Sequence, residues 1–328
     1  MVARGGGGGS VGTRGKMQDR MRNFMANAKQ DAWKIVVVKA TNRDIAPPKG
    51  KHVGTIMEGL EFGGESVANR ETPAGAILYH LQKRTLEPSW VVVIKALTVL
   101  HFTMRTAVSR PYLEMLATTW RSTFRMDSFQ DEQPEGYVHA KFIKSYGRYL
   151  EQWCVCFVEI EYPPIRDPET AKDKESTAEF ERKFPKRFVD MKYGELLKQI
   201  PELIMVLDKM FGIDLQGPTK SSPVSNAIWP ILVKDLTHFW ISLGEAMTSL
   251  ADAIPTMEPV LAQKALNFHR DYADLTKRAS DFFDALGKVQ PSWRPPSVRP
   301  ISQRALDDME DQIHSGRTGG GNGRYLEG

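Results

Sequence analysis

The chain has 328 residues, 41% of them hydrophobic, and its 44 basic and 40 acidic side chains give a formal charge of +4. That apolar content excludes a wholly disordered chain, and the small net charge excludes a uniformly basic, histone-like binder of nucleic acid. The two cysteines, Cys154 and Cys156, exclude a disulfide framework, and too few histidines lie near them to predict a metal site. We therefore expect a large folded core without a disulfide, metal or cofactor.

The first 16 residues are rich in glycine and carry scattered basic side chains. Such a segment has almost no apolar surface to bury, so we predict a disordered tail over residues 1–16. No secretory signal or membrane-spanning stretch is visible, since the longest apolar run, residues 90–104, is interrupted by Lys95 and His101. We expect a cytoplasmic protein that contacts membranes only peripherally.

Residues 17–29 predict an amphipathic helix. The apolar residues Met17, Met21, Phe24 and Met25 recur at helical spacing, and basic and amide side chains fill much of the remaining surface. Two interpretations stay open. Either the helix packs on the core of the domain, or it lies in a membrane interface with these four apolar side chains inserted.

A cluster of basic residues surrounds the next predicted turn. A helix that ends near Lys39 is followed by a short connection, and Pro48 suits the first turn of a second helix. Lys49, Lys51 and His52 then fall in that first turn, where free backbone N–H groups and the helix dipole favour anions. The pattern indicates a site for a multiply phosphorylated group. The alternative is a solvated, lysine-rich surface turn.

From Trp33 onward the sequence pattern is almost wholly helical. Stretches of helical length are separated by Pro and Gly, and Ser89 and Ser302 suit the N-cap positions of two later helices. Residues 165–192 mix acidic and basic side chains, which predicts a solvated insertion. Many helices with short connections predict an all-α solenoid or a large bundle, followed by a disordered tail over residues 315–328.

Five stretches of the sequence carry motifs in a fixed order: Lys39-Ala40-Thr41 with Pro48-Lys49-x-Lys51-His52, Ser89 through Thr98 with His101, Gly136-Tyr137 with Phe142 through Leu150, Leu196 through Leu207, and Pro296 through Ile313. Together these stretches resemble the ANTH domain, which heads the clathrin assembly proteins among the endocytic adaptors. The resemblance covers roughly residues 17–314.

The resemblance implies a fold, a ligand and a cellular role. The fold is all-α, a right-handed superhelical solenoid of stacked α-helices. The ligand is phosphatidylinositol 4,5-bisphosphate or a related lipid, bound through Lys39, Lys49, Lys51 and His52. The role is that of an adaptor on clathrin-coated pits and vesicles, at the plasma membrane or at Golgi and endosomal membranes. The implied partners are clathrin or an adaptor complex, with SNARE cargo on the C-terminal helices.

The sequence departs from the family pattern in several places. Gly50 stands where some members carry another lysine, and the insertion at 165–192 is longer than in the animal proteins. The chain also shows no Asp-Pro-Phe, Asn-Pro-Phe or Asp-Leu-Leu motif. The expectation of clathrin binding therefore rests on the resemblance alone.

Other functional classes are weighed against the adaptor. The chain has seven histidines but no nucleophile–base signature, no HExxH motif and no valid phosphate loop, so we expect no enzyme. A helical protein-interaction scaffold without lipid binding is the main alternative. An RNA-associated protein is a further alternative, but the Gly/Arg tail lacks repeated Arg-Gly-Gly units, so we expect no nucleic-acid partner.

The tryptophans of the helical region are predicted to pack between helices. For Trp229 and Trp240 there is an alternative: one of them lines a groove for cargo among the C-terminal helices.

Overall fold

The computed structural model describes residues 30–62, 72–106, 110–160 and 188–315. These ranges hold ten α-helices and no β-strand, which confirms the predicted all-α class. The helices are α1 Gln30–Ala40, α2 Gly50–Phe62, α3 Pro73–Thr85, α4 Trp90–Thr106, α5 Arg110–Phe124, α6 Ala140–Ile160, α7 Tyr193–Phe211, α8 Trp229–Ala253, α9 Pro259–Val289 and α10 Gln303–Ser315.

Four predictions concern residues outside the described ranges. They are the tail over 1–16, the amphipathic helix over 17–29 with its membrane-insertion candidates, most of the 165–192 insertion, and the tail from residue 316 onward.

Short 3₁₀ turns complete three of the connections between helices. They comprise Pro134–His139 before α6, Pro218–Ser221 and Pro223–Ala227 before α8, and Ile254–Thr256 before α9. Each contains a proline in its first two positions, where the missing backbone N–H costs no hydrogen bond.

The helices stack so that each packs mainly on its near neighbours along the chain. The pairs with the most extensive packing are α6 with α7, α7 with α8, α1 with α3, and α5 with α6. One continuous hydrophobic core runs from Trp33 in α1 to Met309 in α10. This arrangement confirms the predicted solenoid of stacked helices.

Helix α4 lies in the middle of this stack. Its valine-rich start is helical, as its flanks predict, and residues 91–101 are buried all around the helix. The helix begins one residue after Ser89, as predicted, and its first N–H, on Trp90, donates 2.5 Å to a carboxylate oxygen of Asp131. The N-terminus of α4 is therefore fixed by a side chain from the connection between α5 and α6.

The predicted cap at α10 is present. The N–H of Ala305 donates to the Ser302 hydroxyl at 3.2 Å. Ser302 thus satisfies one of the N–H groups that a helix start leaves without an intrahelical acceptor.

A buried polar network joins α4, α6 and α8. The His101 ring contacts the Tyr146 hydroxyl at 2.7 Å through Nδ1 and the Asp235 carboxylate at 2.6 Å through Nε2. The same carboxylate accepts a hydrogen bond from Tyr149 and pairs with Arg105. Complete burial holds the pKa of His101 well below its ordinary value, and the charge on Arg105 lowers it further, so the ring is neutral.

The tryptophans pack between helices as predicted. Trp153, Trp229 and Trp240 are 1%, 2% and 3% exposed, and Trp120 and Trp293 pack partly buried against the core. The indole N–H of Trp240 donates to the Ser297 carbonyl at 3.1 Å. Neither Trp229 nor Trp240 is therefore accessible to line a groove for cargo.

None of the helices in the described part of the chain is long and apolar enough to cross a membrane.

Candidate anion-binding site

The site begins where α1 ends. The N–H and the hydroxyl of Thr41 both donate to the Val37 carbonyl, at 3.0 and 2.7 Å, and close the last turn of α1. Arg84 of α3 then donates to Thr41 twice, at 2.8 Å to the hydroxyl and at 2.6 Å to the carbonyl oxygen. These bonds fasten the C-terminal end of α1, which carries Lys39, to a neighbouring helix.

A buried lysine of α4 holds the connection between α1 and α2 in place. Lys95 of α4 is only 1% exposed, and its ammonium group donates to the Asn42 side-chain oxygen at 2.6 Å. The Asn42 amide donates in turn to the Asp44 carboxylate at 2.5 Å. Burial lowers the pKa of Lys95, the negative charge of Asp44 raises it and the charge on Lys49 lowers it. Lys95 therefore acts as a positioning residue for this connection.

Ion pairs join the same connection to other parts of the stack. Arg43 pairs with Glu132, from the connection between α5 and α6, and lies 3.7 Å from Glu87, between α3 and α4. Glu87 also pairs with Arg84 at 2.9 Å. Residues 41–49 are thus tied to two other connections of the stack.

Helix α2 starts slightly later than the sequence predicts. The Lys49 carbonyl accepts the first helical hydrogen bonds, from His52 at 2.9 Å and Val53 at 3.2 Å, and the helix runs from Gly50. Lys49 therefore occupies the N-cap position and Pro48 precedes the helix. Sequence patterns locate helix ends only to within one or two residues. Lys51 and His52 lie in the first turn, as predicted.

Helix α2 is held close to its neighbours by a glycine. A Cβ atom at Gly59 would lie 2.7 Å from the Ile77 side chain and 2.7 Å from the Trp33 ring. Both partners are buried in the core. The glycine thus allows α2 to approach α1 and α3 at a distance that a larger residue would prevent.

The four predicted site residues gather at that N-terminus. Lys39, Lys49 and Lys51 are exposed and His52 is half-buried. The pKa of His52 lies below its ordinary value, first because of partial burial and then because of the positive charges on Lys51, Lys39 and Lys49. One imidazole therefore experiences all three ammonium groups.

The local charges favour an anionic ligand of more than one charge. Of the carboxylates, Asp44 comes to 4.0 Å from the Lys49 ammonium and is itself 63% exposed, so it neutralises that lysine only partly. The helix N-terminus adds a partial positive charge and backbone N–H groups without intrahelical acceptors. Among the described residues, no group of three or more His, Cys, Asp and Glu side chains is arranged to hold a metal ion.

The family of the chain follows from its match over most of its length. The family model described as ANTH domain matches residues 32–315. The chain belongs to the ANTH domain family. This confirms the resemblance that the sequence motifs indicate.

Known proteins similar to this ANTH domain chain are longer. A protein of Arabidopsis thaliana named among the clathrin assembly proteins is 24% identical over 300 residues, which cover 89% of this chain and 49% of that protein. The human phosphatidylinositol-binding clathrin assembly protein is 23% identical over 301 residues, covering 91% of this chain and 43% of that protein. The chain therefore spans about half the length, or less, of these curated relatives.

A solved structure shares the fold. The ENTH domain from epsin-2, solved in complex with phosphatidylinositol 4,5-bisphosphate, superposes with a TM-score of 0.51 at 16% sequence identity. The match covers 82% of this chain and 97% of that chain. At this identity the likeness shows the fold.

Sequence reasoning missed the residues that support the site. Lys95 was visible as a charge inside an apolar helix, a pattern that indicates a buried polar contact. Arg84 and Asn42 gave no such signal, because their partners lie on other helices and connections.

Proposed function

We propose that this ANTH domain chain is a peripheral membrane adaptor that binds phosphatidylinositol 4,5-bisphosphate or a related phosphoinositide. The ligands are Lys39, Lys49, Lys51 and His52, and the process served is clathrin-mediated vesicle formation. One observation carries the proposal. Three exposed lysines and one histidine lie at or beside one helix N-terminus, and the charges of all three lysines lower the pKa of His52.

A polyanion explains why these side chains are together. Like charges repel one another, and basic side chains at a helix N-terminus are opposed by the helix dipole. A phosphorylated inositol ring removes both penalties, because its phosphates pair with several cations and accept hydrogen bonds from backbone N–H groups. A single carboxylate offers too little charge to do this.

The relatives support the same ligand class. The human relative is named for binding phosphatidylinositol and for clathrin assembly, and the epsin-2 ENTH domain was solved with a bisphosphorylated phosphoinositide. Each well-placed basic residue near an anionic leaflet contributes roughly 1 kcal/mol. Four such residues give weak, reversible attachment, which suits an adaptor that joins and leaves a coat.

Location and partners follow from this proposal. The adaptor works on the cytoplasmic side of coated pits and vesicles, at the plasma membrane or at Golgi and endosomal membranes. Clathrin or an adaptor complex is the coat partner, and SNARE cargo binds the C-terminal helices. The names of the relatives support the coat partner, and the relatives extend well beyond the region that this chain matches.

Vesicle co-sedimentation across the phosphoinositides, at physiological salt, tests the proposal. We expect selective pelleting with bisphosphorylated lipid, and we expect the Lys49→Glu/Lys51→Glu variant to stay in the supernatant with an unchanged circular dichroism spectrum. The charge-matched control is Lys198→Glu/Lys277→Glu, whose side chains are 72% and 74% exposed on α7 and α9. The control should pellet like the wild type.

Two outcomes contradict the proposal. Equal pelleting of the folded Lys49/Lys51 variant and the wild type would refute the site. Absence of pelleting with every lipid would leave a helical protein-interaction module.

A further inference from the structure

Three connections between helices form one continuous surface beside the cationic site. They are residues 41–49, 86–89 and 125–139, and together we call them the loop edge. Arg43 joins the first to the second through Glu87 and to the third through Glu132. The Glu132 N–H donates to the Pro88 carbonyl at 2.8 Å, which joins the second to the third. The loop edge is thus braced by contacts between its own members.

Two large aliphatic side chains project from the loop edge into solvent. Ile45 is 62% exposed in the first connection and Leu86 is 66% exposed in the second. A single exposed aliphatic residue is normal on a protein surface. These two differ because they stand at adjoining connections next to a cluster of cations.

We propose that Ile45 and Leu86 enter the interfacial region of an anionic bilayer while the adjacent cations hold a lipid headgroup. This inference rests on the proposed function and adds a second contact to it. When the site binds the headgroup of a lipid in a membrane, the bilayer surface lies directly against the protein around the site. Ile45 is exposed in the nine-residue connection 41–49 and directly follows Asp44, whose carboxylate lies 4.0 Å from the Lys49 ammonium. We expect a surface that reaches Lys49 to meet Ile45 as well. Leu86 adjoins Glu87, the partner of Arg43 in that connection.

The acidic groups near these two side chains do not oppose an anionic surface. The Asp44 carboxylate lies 4.0 Å from the Lys49 ammonium. Glu87 and Glu132 both pair with Arg43. Glu87 and Glu132 are thus paired and Asp44 is partly neutralised, so this part of the loop edge presents aliphatic side chains next to the exposed Lys39, Lys49 and Lys51, the combination that binds anionic interfaces.

The far part of the loop edge is less suited to the same contact. Tyr137 and Val138 are 59% and 55% exposed, but the exposed Glu135 precedes them in the 3₁₀ turn. We therefore assign the insertion to Ile45 and Leu86 alone.

Insertion of these side chains costs little conformational entropy, because the connection that carries Ile45 is already fixed in the free protein. The connection that carries Ile45 is fixed by Lys95 through Asn42 and by the pairs of Arg43. A preorganised loop loses little freedom when it binds.

The test compares vesicle binding with binding of the soluble headgroup. The variant is Ile45→Ser/Leu86→Ser, and the control is Val260→Ser, which is 79% exposed at the start of α9. Val260 follows the C-terminal end of α8, a helix of 25 residues that is about 37 Å long. We expect the double variant to bind vesicles of phosphatidylcholine, phosphatidylserine and phosphatidylinositol 4,5-bisphosphate about tenfold more weakly. Its calorimetric affinity for inositol trisphosphate should equal that of the wild type, as should both affinities of the control.

A fluorescent label reports the insertion directly. Ile45→Cys and Leu86→Cys are labelled with an environment-sensitive dye, and Val260→Cys serves as the control. The native thiols of Cys154 and Cys156 are 1% and 0% exposed, and burial raises the pKa of Cys154, so labelling is confined to the new cysteine. We expect the emission at positions 45 and 86 to shift to the blue when these vesicles are added, and the emission at position 260 to stay unchanged.

The outcomes separate this inference from the proposed function. If the wild type binds vesicles and headgroup, and the double variant binds both equally well, the inference is refuted and the proposed function stands. If the protein binds the vesicles but the dye emission at positions 45 and 86 does not shift to the blue, the inference is again refuted. The exposed side chains then serve another contact, such as one with a protein partner. If the wild type binds neither vesicle nor headgroup, both proposals fail.

Discussion

His52 is the residue at which the site's electrostatics can be measured. Partial burial and the charges of three lysines lower its pKa in the free domain. A bound phosphate reverses the sign of the local potential and raises that pKa, so the complex takes up a proton. By linkage, affinity rises as pH falls toward the lowered pKa of the free domain.

We predict that inositol trisphosphate binding tightens several-fold more between pH 7.5 and 5.5 in the wild type than in a His52→Gln variant. The comparison removes the contribution of the ligand, whose phosphates lose charge near pH 6. Calorimetry at the two pH values measures the affinity of each protein for inositol trisphosphate. Parallel pH profiles for the two proteins would show that His52 is not a ligand.

Gly50 offers a gain-of-function test at the same scale. A Cβ atom there would meet nothing within 4 Å, and the position is the first of α2. We predict that Gly50→Lys strengthens binding to vesicles containing bisphosphorylated phosphoinositide about fivefold, because one added cation near such a surface contributes roughly 1 kcal/mol.

The matched control for this variant is Gly194→Lys. It lies in the first turn of α7, and a Cβ there also meets nothing within 4 Å. A gain of equal size in both variants would mean that net charge, rather than the site, controls binding.

At the scale of helices, the sequence predicts local features well and contacts between helices poorly. Hydrophobic periodicity and proline breaks predict α4 and the serine cap of α10, because both depend on residues close together in the chain. The Asp131 carboxylate that caps α4 lies 41 residues from its partner Trp90. The bond from Lys95 to Asn42 spans 53 residues. No local pattern encodes such pairs.

The start of α2 differs from its prediction by two residues. Pro48 suits the first helical position, but the helix begins at Gly50 and the Lys49 carbonyl accepts its first hydrogen bonds. Sequence patterns locate helix ends only to within one or two residues. The clustering of Lys39 with Lys49, Lys51 and His52 was predictable, since one short connection separates them.

The His101 network predicts how the packing of α4, α6 and α8 responds to acid. The pKa of this buried histidine is held well below its ordinary value in the folded chain, whereas the unfolded chain exposes it at about 6.5. The unfolded chain therefore binds more protons as pH falls, and stability is lost in that direction. We predict that His101 alone lowers the free energy of unfolding by about 1.4 kcal/mol between pH 7.5 and 5.5.

Urea denaturation at the two pH values measures this change. A His101→Gln variant should show a smaller decrease than the wild type. His139 and His269, whose pKa values burial also lowers, add to the wild-type decrease. A free energy of unfolding that is flat or rises toward pH 5.5 in the wild type would contradict the assignment of a neutral, buried His101.

On the scale of the whole molecule, the stacking of the helices determines which connections lie side by side, and the sequence alone does not predict this. The connections 41–49, 86–89 and 125–139 are far apart in the chain, but packing of the helices brings them together as one braced surface. The proposed insertion uses this surface, because it carries the exposed Ile45 and Leu86 and adjoins the cations of α1 and α2. Motifs predict the family and the basic cluster, whereas the loop edge depends on tertiary structure and was not predictable.

The most direct test of the central claim is a calorimetric titration of the domain with soluble inositol 1,4,5-trisphosphate. It isolates the cationic site from every other membrane contact. We predict saturable one-site binding by the wild type and by Lys198→Glu/Lys277→Glu, and no measurable heat of binding for Lys49→Glu/Lys51→Glu. Binding that survives in the folded Lys49/Lys51 variant, or that is lost equally in both charge-reversed variants, would contradict a phosphoinositide site at the N-terminus of α2.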